Sequence, residues 1–508
     1  MADDVRPELQ LIRERIARTQ DEARSEARDK RRAKGYRTAR ENLSDLVDTD
    51  SFQEYGQFAV AAQRSRRDYL DLQSSTAADG VITGTCTINA DVVDDERAQA
   101  AVIVNDYSVL AGTQGFFHHK KLDRICELAR DHELPIIMYT EGGGGRPGDT
   151  DVNTQIAGLH FESFGLWAAL AGSVPRIAVN NGYCFAGNAA LFGCADFKIA
   201  TRSSWIGMAG PAMIEGGGLG SFEPTQIGPI EVQERNGVVD IVADDEAHAT
   251  ALARQLLSYF QGDVTDWEVA PQESLRDAIP EDRRWGYPVR KIIETIADTG
   301  SFLELQRIHG RSIITGFIRL EGKPLALIAN DCQQLGGAVD AEASEKAARF
   351  LQTCSDLGLP VLSLTDTPGF MVGPDSEKDA AVRRMSTLFV TGARLQVPLV
   401  AIFLRKGYGL GAMAMTGGSF HAPVYSASWP TGEFGGMGLE GAVRLGFSKE
   451  LEAEEDPEAR AQLFDNLVAH AYEMGKASEA AAYLEIDAVI DPIDTRAVVL
   501  RALAASGA

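Results

Sequence analysis

Val174-Pro175-Arg176-Ile177-Ala178-Val179, with Gly187 after it, returns later in the chain as Val397-Pro398-Leu399-Val400-Ala401-Ile402, with Gly411 after it. The prolines lie 398 − 175 = 223 positions apart. Gly187 and Gly411, and Trp205 and Trp429, lie 224 apart by the same subtraction. Moving outward, Leu134-Pro135 and Leu359-Pro360 each open an apolar, buried-type strand, and 360 − 135 = 225. Ahead of each stands a helical stretch, over 120–130 and 341–357. Ahead of that stand apolar strands, Ala101–Val104 and Leu325–Ala329, and Gly-punctuated ones, Gly80–Gly84 and Ile313–Gly316. Further upstream, Ser51-Phe52-Gln53-Glu54 recurs as Ser301-Phe302-Leu303-Glu304. Matching order over such a length predicts two copies of one fold.

Each copy reads strand, helix, strand, helix. Its apolar strands do not alternate, so both faces are covered and the architecture is α/β. Ligands in such folds gather at the carboxyl ends of strands, where Gly-rich turns lead into helices. The predicted division is a charged N-terminal helix over 1–40, with Leu9, Ile12 and Ile16 as a narrow apolar stripe. A domain over 41–261, an acidic and Pro-containing linker over 262–285 and a domain over 286–508 follow.

Composition excludes several classes. A chain of 508 residues exceeds one ordinary core. The formal charge of −24 argues against a broad nucleic-acid or anionic-membrane surface. The six cysteines form no Cys-x-x-Cys pair, which argues against a zinc ribbon. No apolar run reaches the roughly 18 residues of a membrane span, and the charged N-terminus lacks a secretory core. A cytoplasmic protein is expected.

Three turns carry the chemistry. The first is Glu141 through Asp149, with four consecutive glycines. Asp149 stands where a phosphate-binding loop needs lysine, so that reading fails. Gly143, Gly144, Gly145 and Arg146 are candidate substrate-binding positions, because successive glycines let the backbone approach a ligand. The second runs from Val179 through Ala186, Gly187 and Asn188 into a helix. The third, Arg405-Lys406-Gly407-Tyr408-Gly409-Leu410-Gly411-Ala412-Met413, repeats it. Helix N-termini present free amides, the geometry of an oxyanion hole. Two such turns in duplicated halves point to two oxyanion holes. No Ser-His-Asp order or Gly-x-Ser-x-Gly is present. His118, His119 and His160 lack metal-ligand spacing, and no metal is expected. Glu141 is the carboxylate beside the first turn, and a structural role fits it better than a base.

At these residues the chain resembles the carboxyltransferase β-subunits of biotin-dependent acyl-CoA carboxylases, such as propionyl-CoA and acetyl-CoA carboxylase. The likeness runs from about residue 36. It is most specific at Gly336–Phe350, Asp366–Gly373, Arg405-Lys406 and Trp429-Pro430-Thr431. The resemblance implies a duplicated crotonase-like (ClpP/crotonase superfamily) fold of β-β-α units sharing one active site. It implies acyl-CoA bound by the first half and carboxybiotin, carried on a partner, bound by the second. Carboxyl transfer then runs through local release of carbon dioxide, proton removal from the α-carbon by the ureido anion, and attack by the enolate. Carried over, Gly187 and Asn188 offer amides to the thioester. Gly411, with Leu410 or Ala412 beside it, serves the biotin ureido oxygen. Ala186 and Tyr408 flank the turns, and Met413 falls where the acyl chain is selected. Where the family usually has Gly-Gly, this chain has Gly187-Asn188. In the second turn a gapless match selects Leu410-Gly411, and a match to the first half selects Gly411-Ala412. No biotin acceptor lysine or ATP loop is present, so a biotin carboxylase and a biotin carboxyl carrier are expected partners, within a homohexamer.

Three alternatives remain open: a biotin-dependent decarboxylase subunit, a biotin-free hydratase or isomerase with Glu141 as base, and a catalytically silent scaffold subunit.

Overall fold

The computed structural model describes residues 6–152 and 159–507. The chain divides into two compact units, one ending at Gly262 and one beginning at Asp263.

In the first unit the strands are β1 (Gln53–Tyr55), β2 (Val81–Thr87), β3 (Gln99–Asn105), β4 (Ile136–Tyr139), β5 (Arg176–Asn180), β6 (Tyr183–Phe185), β7 (Phe197–Thr201), β8 (Trp205–Gly207) and β9 (Ile241–Ala243). Seven form one sheet in the order β1-β2-β3-β4-β5-β7-β9, while β6 and β8 pair separately. β1, β2 and β3 are antiparallel, and the rest of the sheet is parallel. Every residue of β4 and β5 is buried, as strands covered on both faces require. Ile103, Ile125, Ile136, Met138, Trp167 and Phe192 belong to the core on this sheet.

The second unit repeats the plan. Its strands are β10 (Leu303–Leu305), β11 (Ile313–Leu320), β12 (Lys323–Asn330), β13 (Val361–Thr367), β14 (Leu399–Tyr408), β15 (Tyr425–Ser428), β16 (Glu433–Gly435) and β17 (Ala488–Val489). The order is β10-β11-β12-β13-β14-β15-β17, with β16 on the far end of β14. Gly84 and Gly316 occupy the same place. A Cβ there would lie 2.5 Å from Gln53 O and 2.4 Å from Leu303 O respectively, so each first antiparallel pair closes only over glycine. The expected helices are Phe116–Asp131 and Ala341–Asp356. Each buries a lysine whose ammonium donates to backbone carbonyls: Lys121 to Ala78 O at 3.0 Å, and Lys346 to His309 O at 2.9 Å. Burial lowers the two ammonium groups to about 8 and about 7.

Two expectations change. The N-terminal region is two helices, Pro7–Ala17 and Ser25–Ala33, rather than one. Thr19 ends the first by donating its hydroxyl to Ile16 O at 2.7 Å. Leu9, Ile12 and Ile16 are exposed, so the apolar stripe is not packed within this chain. The stretch 262–285, read as a linker, packs on the second unit. Val264 N donates to Gly322 O at 3.2 Å, and Leu275 and Ile279 join its core.

The second unit's strand ends are tied by Asp366, wholly buried in β13. Its carboxylate accepts from Arg405 Nη2 at 3.0 Å, Tyr287 Oη at 2.8 Å and Lys406 N at 3.0 Å. Asp366→Ala leaves a buried guanidinium unpaired, which typically costs about 3–5 kcal/mol. Chemical denaturation of the variant should show a loss of that order, and a change below about 1 kcal/mol would show that the pair is dispensable.

Candidate active site

Strand pairing fixes the correspondence between the units. Ile136 faces Arg176 across β4 and β5, and Val361 faces Leu399 across β13 and β14. Arg176 is thus equivalent to Leu399. Past the strands, Tyr183 to Phe185 pair with Trp205 to Gly207, and Lys406 to Tyr408 pair with Glu433 to Gly435. Tyr183 is therefore equivalent to Lys406, and Ala186 to Gly409. Both have positive φ, 52° and 58°. It follows that Gly187 corresponds to Leu410 and Asn188 to Gly411, one place off the match by letters. Trp205 corresponds to Glu433. Trp429, directly after β15, has another role: it is fully buried and its indole donates to Thr495 Oγ1 at 3.0 Å.

Both turns open a helix, Gly187–Cys194 in the first unit and Gly409–Met415 in the second. In the first, Ala190 N donates to Ala186 O at 2.9 Å, leaving the amides of Gly187, Asn188 and Ala189 ahead of the helical ladder. Ala186 is strained, with φ 52° and ψ −120° in a region that side chains seldom adopt. Leu410 is 60% exposed, whereas Gly411 and Ala412 are buried. A Cβ at Gly411 would lie 2.5 Å from Gly369 C and 2.8 Å from Phe370 N, so glycine is demanded there by close approach, not by a positive φ. Tyr408 is buried and donates its hydroxyl to Glu433 Oε2 at 2.9 Å. Met413 lines a cavity of about 500 Å³ with Gly409, Phe420 and Phe434 among others.

The four-glycine turn serves mainly as a brace. Gly142 N donates to Tyr183 O at 2.7 Å, Gly143 N to Ala111 O at 3.1 Å, Gly144 N to Asn188 Oδ1 at 2.9 Å and Arg146 N to Gln114 O at 2.8 Å. The Arg146 guanidinium is buried on Asp79 and donates to Thr113 O at 2.9 Å. Its expected role toward substrate gives way to this inward ion pair.

Glu141 lies at the end of β4, at the place Asp366 holds in the second unit. It forms a two-pronged ion pair with Arg31 from the helix Ser25–Ala33, 2.8 Å on each prong. The Arg31 guanidinium lies over the rings of Tyr36 and Tyr107, at 4.8 and 5.6 Å. Arg405 likewise lies over Tyr287, at 4.9 Å. Burial, with Glu246 and Asp106 nearby, pushes the Glu141 carboxyl up to about 7 against the pull of Arg31. His118 and His119 are buried and face neither turn's first amides by any hydrogen bond. His119 Nδ1 sits 3.0 Å from Ser163 Oγ, and its ring stacks on Phe161.

Beside Glu141 opens a cavity of about 740 Å³. Tyr107, Ser108, Glu141 and Tyr183 line it from beyond the ends of β3, β4 and β5, and the helix Ser25–Ala33 covers it with Lys30, Arg31 and Lys34 nearby. Arg24 anchors that cover on Asp106 at 2.6 Å. Lys30 pairs with exposed Glu26, a weak bond in water. Apart from Glu141 the sequence does not single these residues out, although Lys30-Arg31-Arg32-Ala33-Lys34 is a basic run.

Residues 30–507 match the model of the carboxyl transferase domain. The chain belongs to the carboxyl transferase domain family. It is accordingly a carboxyltransferase enzyme. The methylmalonyl-CoA carboxyltransferase 12S subunit of Propionibacterium freudenreichii subsp. shermanii is 30% identical over 94% of this chain and 89% of that one. The propionyl-CoA carboxylase beta chain of Saccharopolyspora erythraea is 31% identical over 93% and 88%. Among solved structures of carboxyl transferases, a single-chain, multi-domain long-chain acyl-CoA carboxylase is 55% identical with a TM-score of 0.92. That match covers 98% of this chain but 49% of the larger one, about half its length. The transcarboxylase 12S structure, described as a hexamer with methylmalonyl-CoA bound, has a TM-score of 0.85 at 28% identity.

Glu141→Gln should keep turnover within about tenfold, since its partner is a structural arginine, while lowering stability by roughly 3 kcal/mol. Steady-state kinetics and a denaturation curve on the same preparation check this. A thousandfold fall in kcat with an intact fold would instead make Glu141 a proton acceptor.

Proposed function

We propose that the chain transfers a carboxyl group between biotin, carried on a partner protein, and the α-carbon of an acyl-CoA, using two copies of a crotonase-like unit. One observation carries the reading. Equivalent turns in the two units each follow a strand, pass through a residue at positive φ, and open a helix whose first amides precede its ladder.

In the first unit, Gly187 N–H and Asn188 N–H donate to the thioester oxygen as negative charge develops there. The amides are fixed before the reaction, so no dipole has to reorganise, and a donor of this kind is typically worth about 2.7–4 kcal/mol of barrier. Lys30 on the covering helix and Lys34 just past its end meet the phosphates of coenzyme A at the 740 Å³ cavity. In the second unit, Leu410 N–H and Gly411 N–H hold the ureido oxygen of biotin. The donor set fits that group: neutral backbone amides suit a flat, uncharged ring, and the adjoining Gly409 and Met413 line a cavity with Phe420, Phe434, Glu479 and Glu485. Biotin, when bound, supplies the carboxyl group. The chain's residues bind, orient and stabilise charge. Met413, uncharged at the second turn, suits an apolar acyl chain, and the 55% identity to a long-chain carboxylase supports a long one. A biotin carboxylase, a biotin carboxyl carrier and a hexamer of this chain complete the assembly.

Leu410→Pro deletes one donor in the first turn of a helix, where proline is tolerated. Transfer should fall about 10²- to 10³-fold with acyl-CoA affinity unchanged. Undiminished transfer would remove Leu410 from the pair.

Replacing Lys30 and Lys34 together by Glu should raise KM for acyl-CoA about tenfold, leave kcat within twofold, and weaken the salt dependence of KM. An unchanged KM would place the phosphates elsewhere.

A further inference from the structure

Asn188 stands where the second unit has Gly411, and the two positions solve one packing problem differently. At Gly411 the helix start touches the Gly369-Phe370 backbone directly, and a Cβ would lie 2.5 Å from Gly369 C. The first unit's counterpart of Gly369 is Gly144, by the register of β4 and β13 with their neighbours. There a side chain makes the link. The Asn188 side chain fills the space between the two backbones and is fully buried. Its Oδ1 accepts from Gly144 N–H at 2.9 Å, and its Nδ2 points at Gly112 O at 3.5 Å.

This contact bears on the donors themselves. The N–H of Gly187 belongs to the peptide that follows Ala186, so its direction is set by the Ala186 ψ of −120°. A strained conformation persists only where its surroundings over-determine it. Three contacts hold Ala186. Its N–H donates to Gly207 O at 3.1 Å, its carbonyl accepts from Ala190, and its methyl packs on Gly144, where an added Cβ would come within 2.6 Å. The Asn188–Gly144 bond presses that third contact home.

We infer that the Asn188 side chain is a positioning residue: by bridging to Gly144 it holds Ala186 in its strained conformation and so aims the Gly187 and Asn188 amides. The inference rests on the reading of those amides as thioester donors. Asn188 thus acts twice, through its own N–H and through its side chain, which stands in for a direct backbone contact.

The test uses the full-length chain, with transfer from a carboxylated acyl-CoA to free biotin as the assay and calorimetry for acyl-CoA affinity. Asn188→Ala should lower kcat about a hundredfold, the scale of a lost oxyanion donor, while acyl-CoA affinity stays within threefold. Asn188→Asp, which keeps an acceptor oxygen for Gly144 N–H, should recover at least tenfold of that loss. Retention of half the wild-type kcat by Asn188→Ala overturns the inference. So does a parallel loss of affinity and turnover that Asp fails to recover, because that pattern belongs to a merely structural side chain. If Asn188→Ala does not fold, Asn188→Asp decides alone: a folded Asp variant below a hundredth of wild-type turnover, or one that also fails to fold, rejects the role. A wild-type protein that transfers from no carboxylated acyl-CoA would sink the underlying reading instead.

Discussion

A carboxylate buried at the end of a central strand needs a cation, and this need organises both units. In the first, Glu141 is answered by Arg31, 110 residues earlier in the chain. In the second, Asp366 at the same place is answered by Arg405 of the neighbouring strand. Both arginines lie over tyrosine rings. An unpaired buried charge is costly enough that each pair must form for its surroundings to form. The Asp366 pair locks two strand ends of one sheet together. The Glu141 pair fastens a separate helix across the carboxyl ends of the sheet, creating the cationic cover of the larger cavity.

Glu141 also illustrates how a residue's surroundings decide its chemistry. A carboxyl pushed up toward neutrality by burial has the profile of a general base. Its two oxygens, however, each accept from Arg31, which ties the carboxylate into a structural ion pair. The donors that remain ahead of the helical ladders are main-chain amides, which stabilise developing negative charge without exchanging protons.

Much of the fold was legible because duplication prints the same punctuation twice. Leu-Pro before a strand, glycine within the first antiparallel pair, and Val-Pro before the central strand each mark a backbone requirement that both copies share. The errors came from matching letters where the requirement is geometric. Gly187 and Gly411 look alike, but the positive φ that defines the turn falls at Ala186 and Gly409, one residue before the first glycine and two before the second. Trp205 and Trp429 match in type and differ in place. Arg146 beside four glycines looked like a ligand for substrate, and only the fold reveals Asp79 behind it. Arg31 could not be assigned from local pattern, since its partner is distant in sequence. The two-helix N-terminus follows from that same long-range demand.

The use of main-chain amides has a consequence for how this site can change over generations. A side-chain catalyst is lost by one substitution at one codon. An amide survives every substitution except proline, and at exposed Leu410 the side chain is open to drift. What purifying selection can see here is the shape of the turn: the small residues at its crowded points, such as Gly369, Gly411 and Gly144, and whatever fills the gap when one of them is replaced. Substrate preference can then wander among relatives while the chemistry stays put, and the lineage's memory of its reaction resides in glycines that never touch the reacting carbon.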